Sequence, residues 1–289
     1  MLRKLILAIS TFMLVSNVYS QSYYNARYMQ KFVVQAGSGT ASYFGDVVDD
    51  YEFTINGNFT AGMLWRFHNR VALDANFTWF RLAAEDAKSE DGKALRGLSF
   101  FSNNYEVSAA VQVMLFPEQA RFYLRRRLNP YLFGGVGLLS YNPKAELDGE
   151  KYALRPLQTE GPDNTYSGFT ATFPFGAGVK IKINAFFNVA VEGRFTYTLT
   201  DYLDDVSSGF YPDPSSFEDP IARALSDRSG DAGANPEFSV EQRYVRGNPN
   251  AKDNYFLLFI KVQYYISPFS DTYRALKSRT MKNRRRRRR

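Results

Sequence analysis

One run limits the fold more than any other: Phe-Asn-Val-Ala-Val-Glu-Gly-Arg-Phe-Thr-Tyr-Thr-Leu-Thr, residues 187–200. Val189, Val191, Gly193, Phe195, Tyr197 and Leu199 occupy one set of alternate positions, and Asn188, Ala190, Glu192, Arg194, Thr196 and Thr198 the other. A period of two belongs to a strand with one apolar and one polar face. The run is about 12 residues long, against about 5–6 for a soluble strand, and a tilted strand of about 9–11 residues crosses a bilayer. Glu192 and Arg194 would be out of place in a sandwich core but suit a barrel interior.

Seven further segments carry similar patterns: Lys31–Ala41, Asn58–His68, Val71–Leu82, Tyr105–Phe116, Pro130–Tyr141, Gly168–Ile183 and Tyr255–Ile266. In Pro130–Tyr141 the two faces cannot be told apart by period. With Asn188–Thr200 these make an even set of eight, as bacterial barrels require. The connections alternate. Short links fall around Asn69, Glu118–Asn129 and Asn184-Ala185; long ones span Phe44–Gly57, Ala83–Asn104, Asn142–Ser167 and Asp201–Asn254. Short periplasmic turns and long extracellular loops are the usual asymmetry, which puts both termini in the periplasm. The expected fold is all-β: an eight-stranded antiparallel transmembrane barrel over residues 21–266.

Residues 1–20 read as a signal peptide. Arg3 and Lys4 form its charged region, Leu5–Val15 its apolar region, and Val18-Tyr19-Ser20 a cleavage site before Gln21. The apolar region is too short to span a membrane as a helix. The absence of Cys rules out disulfide and thiolate chemistry. The 20 Tyr and 25 Phe suit interfacial girdles.

Charge is unevenly placed. The four long connections are each net acidic, and the Glu118–Asn129 link is net basic. The segment from Arg274 carries no acidic residue. The overall charge of +7 therefore belongs to the terminal segment, residues 267–289, rather than to the body.

Catalysis finds little material. His68 is the one histidine, at a turn, so no nucleophile–base pair is evident and no enzyme is expected. No cofactor is implied. Asp46, Asp49, Asp50, Asp201, Asp204 and Asp205 are hard-oxygen candidates for Ca²⁺, although their spacing is not that of an EF-hand loop and solvated loop charge is the plainer reading. Arg66, Asp74, Glu106, Lys180, Lys182, Glu192, Arg194 and Lys261 fall on polar faces. Eight strands leave an interior that side chains fill, so these residues are expected to pair with one another and plug it.

Gly134-Gly135-Val136-Gly137 and Gly37-Ser38-Gly39 lie within strands with no helix after them, and read as packing devices rather than phosphate loops. The candidate partner-binding residues are Arg125, Arg126 and Arg127, with Arg274, Lys277, Arg279, Lys282, Arg284, Arg285, Arg286, Arg287, Arg288 and Arg289. The export signal argues against nucleic acid. Anionic outer-membrane lipid or an acidic protein surface fits such a tail better, beside a purely solvated one.

Several ordered motifs carry a family resemblance: Asn129–Gly137, Leu154–Gly161, Pro174–Lys180, Thr200–Ser207, Tyr43–Asp46 and Gly247–Pro249. Together they resemble the PorG-like outer-membrane barrels of Bacteroidetes. The resemblance implies an eight-stranded barrel associated with the type IX secretion and gliding machinery, tying the periplasmic PorK–PorN ring to the outer membrane. This chain departs from the pattern by continuing past Ile266 to Arg289. The expected function is thus a non-enzymatic scaffold contacting periplasmic partners through its turns and basic tail. The alternatives are a surface adhesion barrel working through Asp201–Asp253 and a small-solute channel.

Overall fold

Strand after strand, apolar side chains face outward and small or polar ones inward. The computed structural model describes residues 31–47, 56–86, 96–119, 124–162, 164–207, 210–229, 246–248 and 252–266. The strands are β1 (Phe32–Phe44), β2 (Asn56–Arg66), β3 (Val71–Glu85), β4 (Ser99–Met114), β5 (Leu128–Ser140), β6 (Pro143–Leu147), β7 (Glu150–Ala153), β8 (Phe169–Lys182), β9 (Phe187–Thr198) and β10 (Asn254–Tyr265). Two short helices, α1 (Leu154–Leu157) and α2 (Pro220–Ser226), lie in the long connections.

Eight strands form the staves, each antiparallel to its neighbours around the ring β1-β2-β3-β4-β5-β8-β9-β10. The ring closes where β10 meets β1, from Val33 opposite Tyr265 to Phe44 opposite Asn254. Closure leaves no stave with an unpaired edge, which a sheet in lipid needs because its backbone groups have no water to bond.

The outward face is the apolar belt of a transmembrane barrel. Val34, Met63, Val111, Leu132, Val136, Val191, Ile260 and Val262 are exposed on it. Near the short turns it ends in aromatic rings: Phe32 opposite Trp65, Tyr264 opposite Phe187, and Trp65 beside Phe67 at 5.8 Å. Toward the long connections come Phe77, Tyr105, Phe173 and Tyr197. Aromatics at both rims of an aliphatic band are the girdles of such barrels.

Other tyrosines do not belong to a girdle. Tyr43, Tyr131, Tyr141, Tyr255 and Tyr265 are buried. Composition alone favoured the girdle; the alternation of each strand decides which face a given tyrosine takes.

The staves differ from the expected segments mainly at their ends. Residues 83–85 and 99–104, expected as loop, extend β3 and β4 beyond the ring, with Glu85 opposite Ser99. The connection Asn142–Ser167 is also more than a loop. It folds into the hairpin β6–β7, whose Lys144 pairs with Phe101 on the part of β4 that β5 has already left. The period of β5 becomes clear in three dimensions: Tyr131, Phe133 and Leu139 are buried, and Leu132, Val136 and Leu138 are exposed.

Glycines make room for the interior. A Cβ on Gly39 would lie 1.9 Å from Leu258 O, and one on Gly178 would lie 2.5 Å from the Tyr131 ring. The small residue is what lets a ring lie flat across an eight-stranded interior.

Candidate functional site

The barrel interior is a hydrogen-bonded charge network. Glu192, on β9, accepts from Lys261 Nζ at 2.7 Å and from the Tyr131 hydroxyl at 2.8 Å, with Arg194 Nη2 at 3.5 Å. Glu106 accepts from the Tyr255 hydroxyl at 2.8 Å, and Arg194 Nη1 stands 3.9 Å from it. Asp74 accepts from Gln35 Nε2 at 2.8 Å. Nearer the short turns, Arg66 Nε lies 3.2 Å from Glu118 Oε2, and the Tyr265 hydroxyl donates to the other Glu118 oxygen.

Lys261 and Glu106 are 0 % exposed and Arg66 is 1 % exposed. Side chains lining a water-filled pore would be accessible to solvent, so this interior is filled. The structure brings together Asp74, Glu106, Glu192, Arg194 and Lys261. Arg66 and Lys180 sit in the short-turn half, and Lys182 is only half-buried at that mouth, donating to Arg125 O at 2.6 Å.

At the opposite end the long connections fold inward as a lid. Val47, Leu98, Ala145, Leu154, Leu203, Val206 and Leu225 come from loops and their short elements. They join Phe80, Leu82, Phe100, Leu139 and Leu257 from the staves in one apolar cluster. Beneath the lid lies an acidic clasp. The Tyr43 hydroxyl lies 2.7 Å from Asp204 Oδ2 and 2.6 Å from Asp253 Oδ1. Asp253 Oδ2 accepts from Leu203 N at 2.8 Å, and Asp204 Oδ1 from Val206 N at 2.9 Å. Asp205, at φ +66°, accepts from Thr159 and Tyr166. That left-handed turn is one Asp adopts more readily than most residues.

Glu160 accepts from Ser207 N at 2.7 Å and pairs with Arg246, while Asp201 accepts from Ser207 Oγ at 2.7 Å. Arg96 ties three connections together. It holds Asp86 with two bonds of 2.7 and 3.0 Å, and donates to Arg246 O at 2.6 Å and Asp46 O at 2.8 Å.

Burial sets the protonation of the clasp. It pushes Asp201 and Asp205 up to about 6, the latter against the pull of Arg246. Asp204 and Asp253 are both raised, first by burial. The shared hydroxyl gives the same answer by counting. Tyr43 has one proton and can satisfy one ionised carboxylate, so two carboxylates against it need a second proton.

Of the Ca²⁺ candidates, Asp46, Asp201, Asp204 and Asp205 do lie in this end of the molecule, and Asp49 and Asp50 fall outside the described residues. Asp46 Oδ2 accepts from Asn248 N at 2.7 Å. The oxygens face N–H and O–H donors, and among the described residues no three carboxylates or histidines are grouped to hold a metal ion.

At the short-turn end Arg125 is buried with its guanidinium 4.3 Å from the Tyr265 ring, whereas Arg126 and Arg127 are exposed. His68 accepts from Arg70 N in the β2–β3 turn. The basic residues from Arg274 onward lie outside the described residues.

Sequence reasoning missed Glu118, Tyr43, Thr159, Glu160, Tyr166, Arg246 and Asp253. A signal existed for part of this set. Tyr43, Thr159 and Glu160 sit inside the motifs Tyr43–Asp46 and Leu154–Gly161, which the fold brings against Thr200–Ser207. Nothing local marks Asp253 or Tyr166.

Comparison with known proteins gives a family and a set of similar structures. The family model described as "Domain of unknown function (DUF6089)" matches residues 7–219. Neisserial surface protein A is 11% identical with a TM-score of 0.42, over 81% of this chain and 97% of that one. Ail, the attachment invasion locus protein of Yersinia pestis, solved with the heparin analogue sucrose octasulfate, is 10% identical with a TM-score of 0.38, over 82% and 99%. The outer membrane protein OprG of Pseudomonas aeruginosa is 9% identical with a TM-score of 0.39, over 83% and 97%. No curated protein matches the chain. The family match covers well over half the sequence, and the chain belongs to the DUF6089 family.

Proposed function

We propose that this DUF6089 protein is a non-enzymatic outer-membrane anchor whose working surface is its short-turn, periplasmic end. The observation that carries the reading is the contrast between the two ends. The middle of the interior is filled by paired charges, which speaks against a solute path. The long-connection end is closed over by its own clasp and apolar lid. The short-turn end instead presents exposed Arg126 and Arg127 beside buried Arg125.

The partner is an acidic periplasmic protein, and the motif resemblance to PorG-like barrels supports a place in the type IX secretion and gliding machinery. In that setting the barrel fixes a PorK–PorN-like ring to the outer membrane, and the segment from Arg274 adds to the same contact. Arginine forks suit such a surface because each can hold a carboxylate with two bonds. Deleting the gene tests the role: type IX cargo export and gliding should fail. Normal export and gliding in the deletion strain would remove the secretion assignment.

A second reading has one observation in its favour. Phe210, in the β9–β10 connection, is 63 % exposed outside the apolar belt. In a surface-recognition barrel this connection would be the contact, and its deletion, rather than loss of the basic residues, would abolish binding.

A further inference from the structure

The interior charges are not balanced along the barrel. In the middle, Glu192, Glu106 and Asp74 face Lys261 and Arg194. Toward the short turns, Glu118 is the carboxylate that meets the positive fields of Arg66, Lys180 and Arg125. Here a small recess at the barrel mouth is lined by Glu118, Arg125, Arg126, Lys180, Lys182 and Asn188.

Two of the buried cations around Glu118 carry donors with no oxygen partner among the described residues. Arg66 Nη1 and Nη2 have no hydrogen-bond partner. Lys180 Nζ, on a side chain that is almost fully buried, has its one hydrogen-bond contact among the described residues with Met114 Sδ at 3.9 Å. A buried cation needs an anion and acceptors for its protons. Glu118 has committed one oxygen to Arg66 and the other to Tyr265.

We propose that this recess binds a phosphate-class oxyanion, held by Lys180, Lys182 and Arg125 with Arg66 reinforcing the field behind Glu118. A tetrahedral oxyanion offers several acceptors to ammonium and guanidinium donors arriving from different strands, and matches the guanidinium fork with two oxygens at once. Two sources carry that chemistry. One is free phosphate. The other is a lipid head group, since the aromatic rim of Phe32, Trp65 and Tyr264 places the recess near the bilayer surface. The site does not depend on the secretion role.

The full chain, folded in a phosphate-free detergent, is titrated calorimetrically with inorganic phosphate alongside Lys180→Met and Lys182→Met. In parallel, each protein is melted in nanodiscs of digalactosyldiacylglycerol, a lipid without phosphate, with and without phosphatidylglycerol. Wild type is expected to bind phosphate, with affinity at least tenfold lower in Lys180→Met. Lys182 is half-buried at the rim, so Lys182→Met folds independently of the site and must weaken binding even if Lys180→Met does not fold. Stabilisation by phosphatidylglycerol alone, lost in the variants, assigns the oxyanion to lipid. The proposal is overturned if neither phosphate nor phosphatidylglycerol acts on wild type, or if both act equally on wild type and variants.

Discussion

The Tyr43 hydroxyl lies 2.6 Å from Asp253 Oδ1 and joins the last turn of β1 to the entry of β10 across 210 positions of sequence. The same hydroxyl reaches Asp204, so a single phenol holds two carboxylates of the longest connection. This contact fixes where that connection re-enters the barrel.

The clasp should depend on pH in a definite direction. Asp201, Asp204, Asp205 and Asp253 all bind their protons more tightly when folded. Raised carboxyl values add stability that is complete below about pH 4, the unfolded value, and is lost as pH climbs through the folded values. For Asp201 and Asp205 that window closes at about 6; for the Asp204–Asp253 pair it extends higher. Facing the pair are Asp46, which raises Asp204 and Asp253, and Asp201, which raises Asp253. Hydrogen exchange at Leu203 and Val206 should therefore quicken from pH 4 to 8 beyond the intrinsic rate increase. Asp204→Asn should flatten that dependence and slow exchange at neutral pH. Faster exchange in Asp204→Asn at pH 7 would mean that both carboxylates are held ionised.

Arg96 should be irreplaceable by lysine. Its fork donates two bonds to Asp86 and reaches carbonyls in two further connections, and a lysine ammonium cannot span that geometry. Arg96→Lys is expected to destabilise the lid by about 1–3 kcal/mol. Limited proteolysis should then cut the long connections several-fold faster while the staves stay protected.

Inside the barrel, Lys261→Met leaves Glu192 buried with a weakened partner set. Removing one member of a buried pair costs about 3–5 kcal/mol, and the nearby Arg194 places this case at the low end. Urea unfolding from lipid vesicles measures the loss. Adding Glu192→Gln to Lys261→Met should restore most of it. An undiminished loss in the double variant would show that packing, not charge, dominates there.

The belt makes a separate prediction. Ile260 faces outward in mid-strand, and Ile260→Arg should cost about 2–4 kcal/mol of folding free energy in vesicles. Phe210→Arg, in the long connection, should change stability by no more than about 0.5 kcal/mol.

How much of this was legible in sequence follows from what each feature depends on. The period of two in β9 depends on neighbours two residues apart, so the eight staves could be read directly and the facing of most of them, but not that of the Gly-rich β5. Arg66, Asp74, Glu192 and Lys261 were visible as charges on polar faces. Glu118 was not, because it lies in a link with no period to place it. The clasp was hidden for another reason. Tyr43 meets Asp204 and Asp253 only after the barrel has closed, and no local pattern encodes a contact across 210 positions. The hairpin β6–β7 escaped because its strands of five and four residues are too short to establish a period.

The claim that the short-turn end is the working surface is tested most directly by photo-crosslinking in living cells. A photoreactive residue is placed at Arg127 in one strain and at Phe210 in another, and the adducts are identified by mass spectrometry. The account predicts periplasmic ring proteins of the secretion machinery captured from position 127 and not from position 210. Capture of partners from position 210 alone would contradict it.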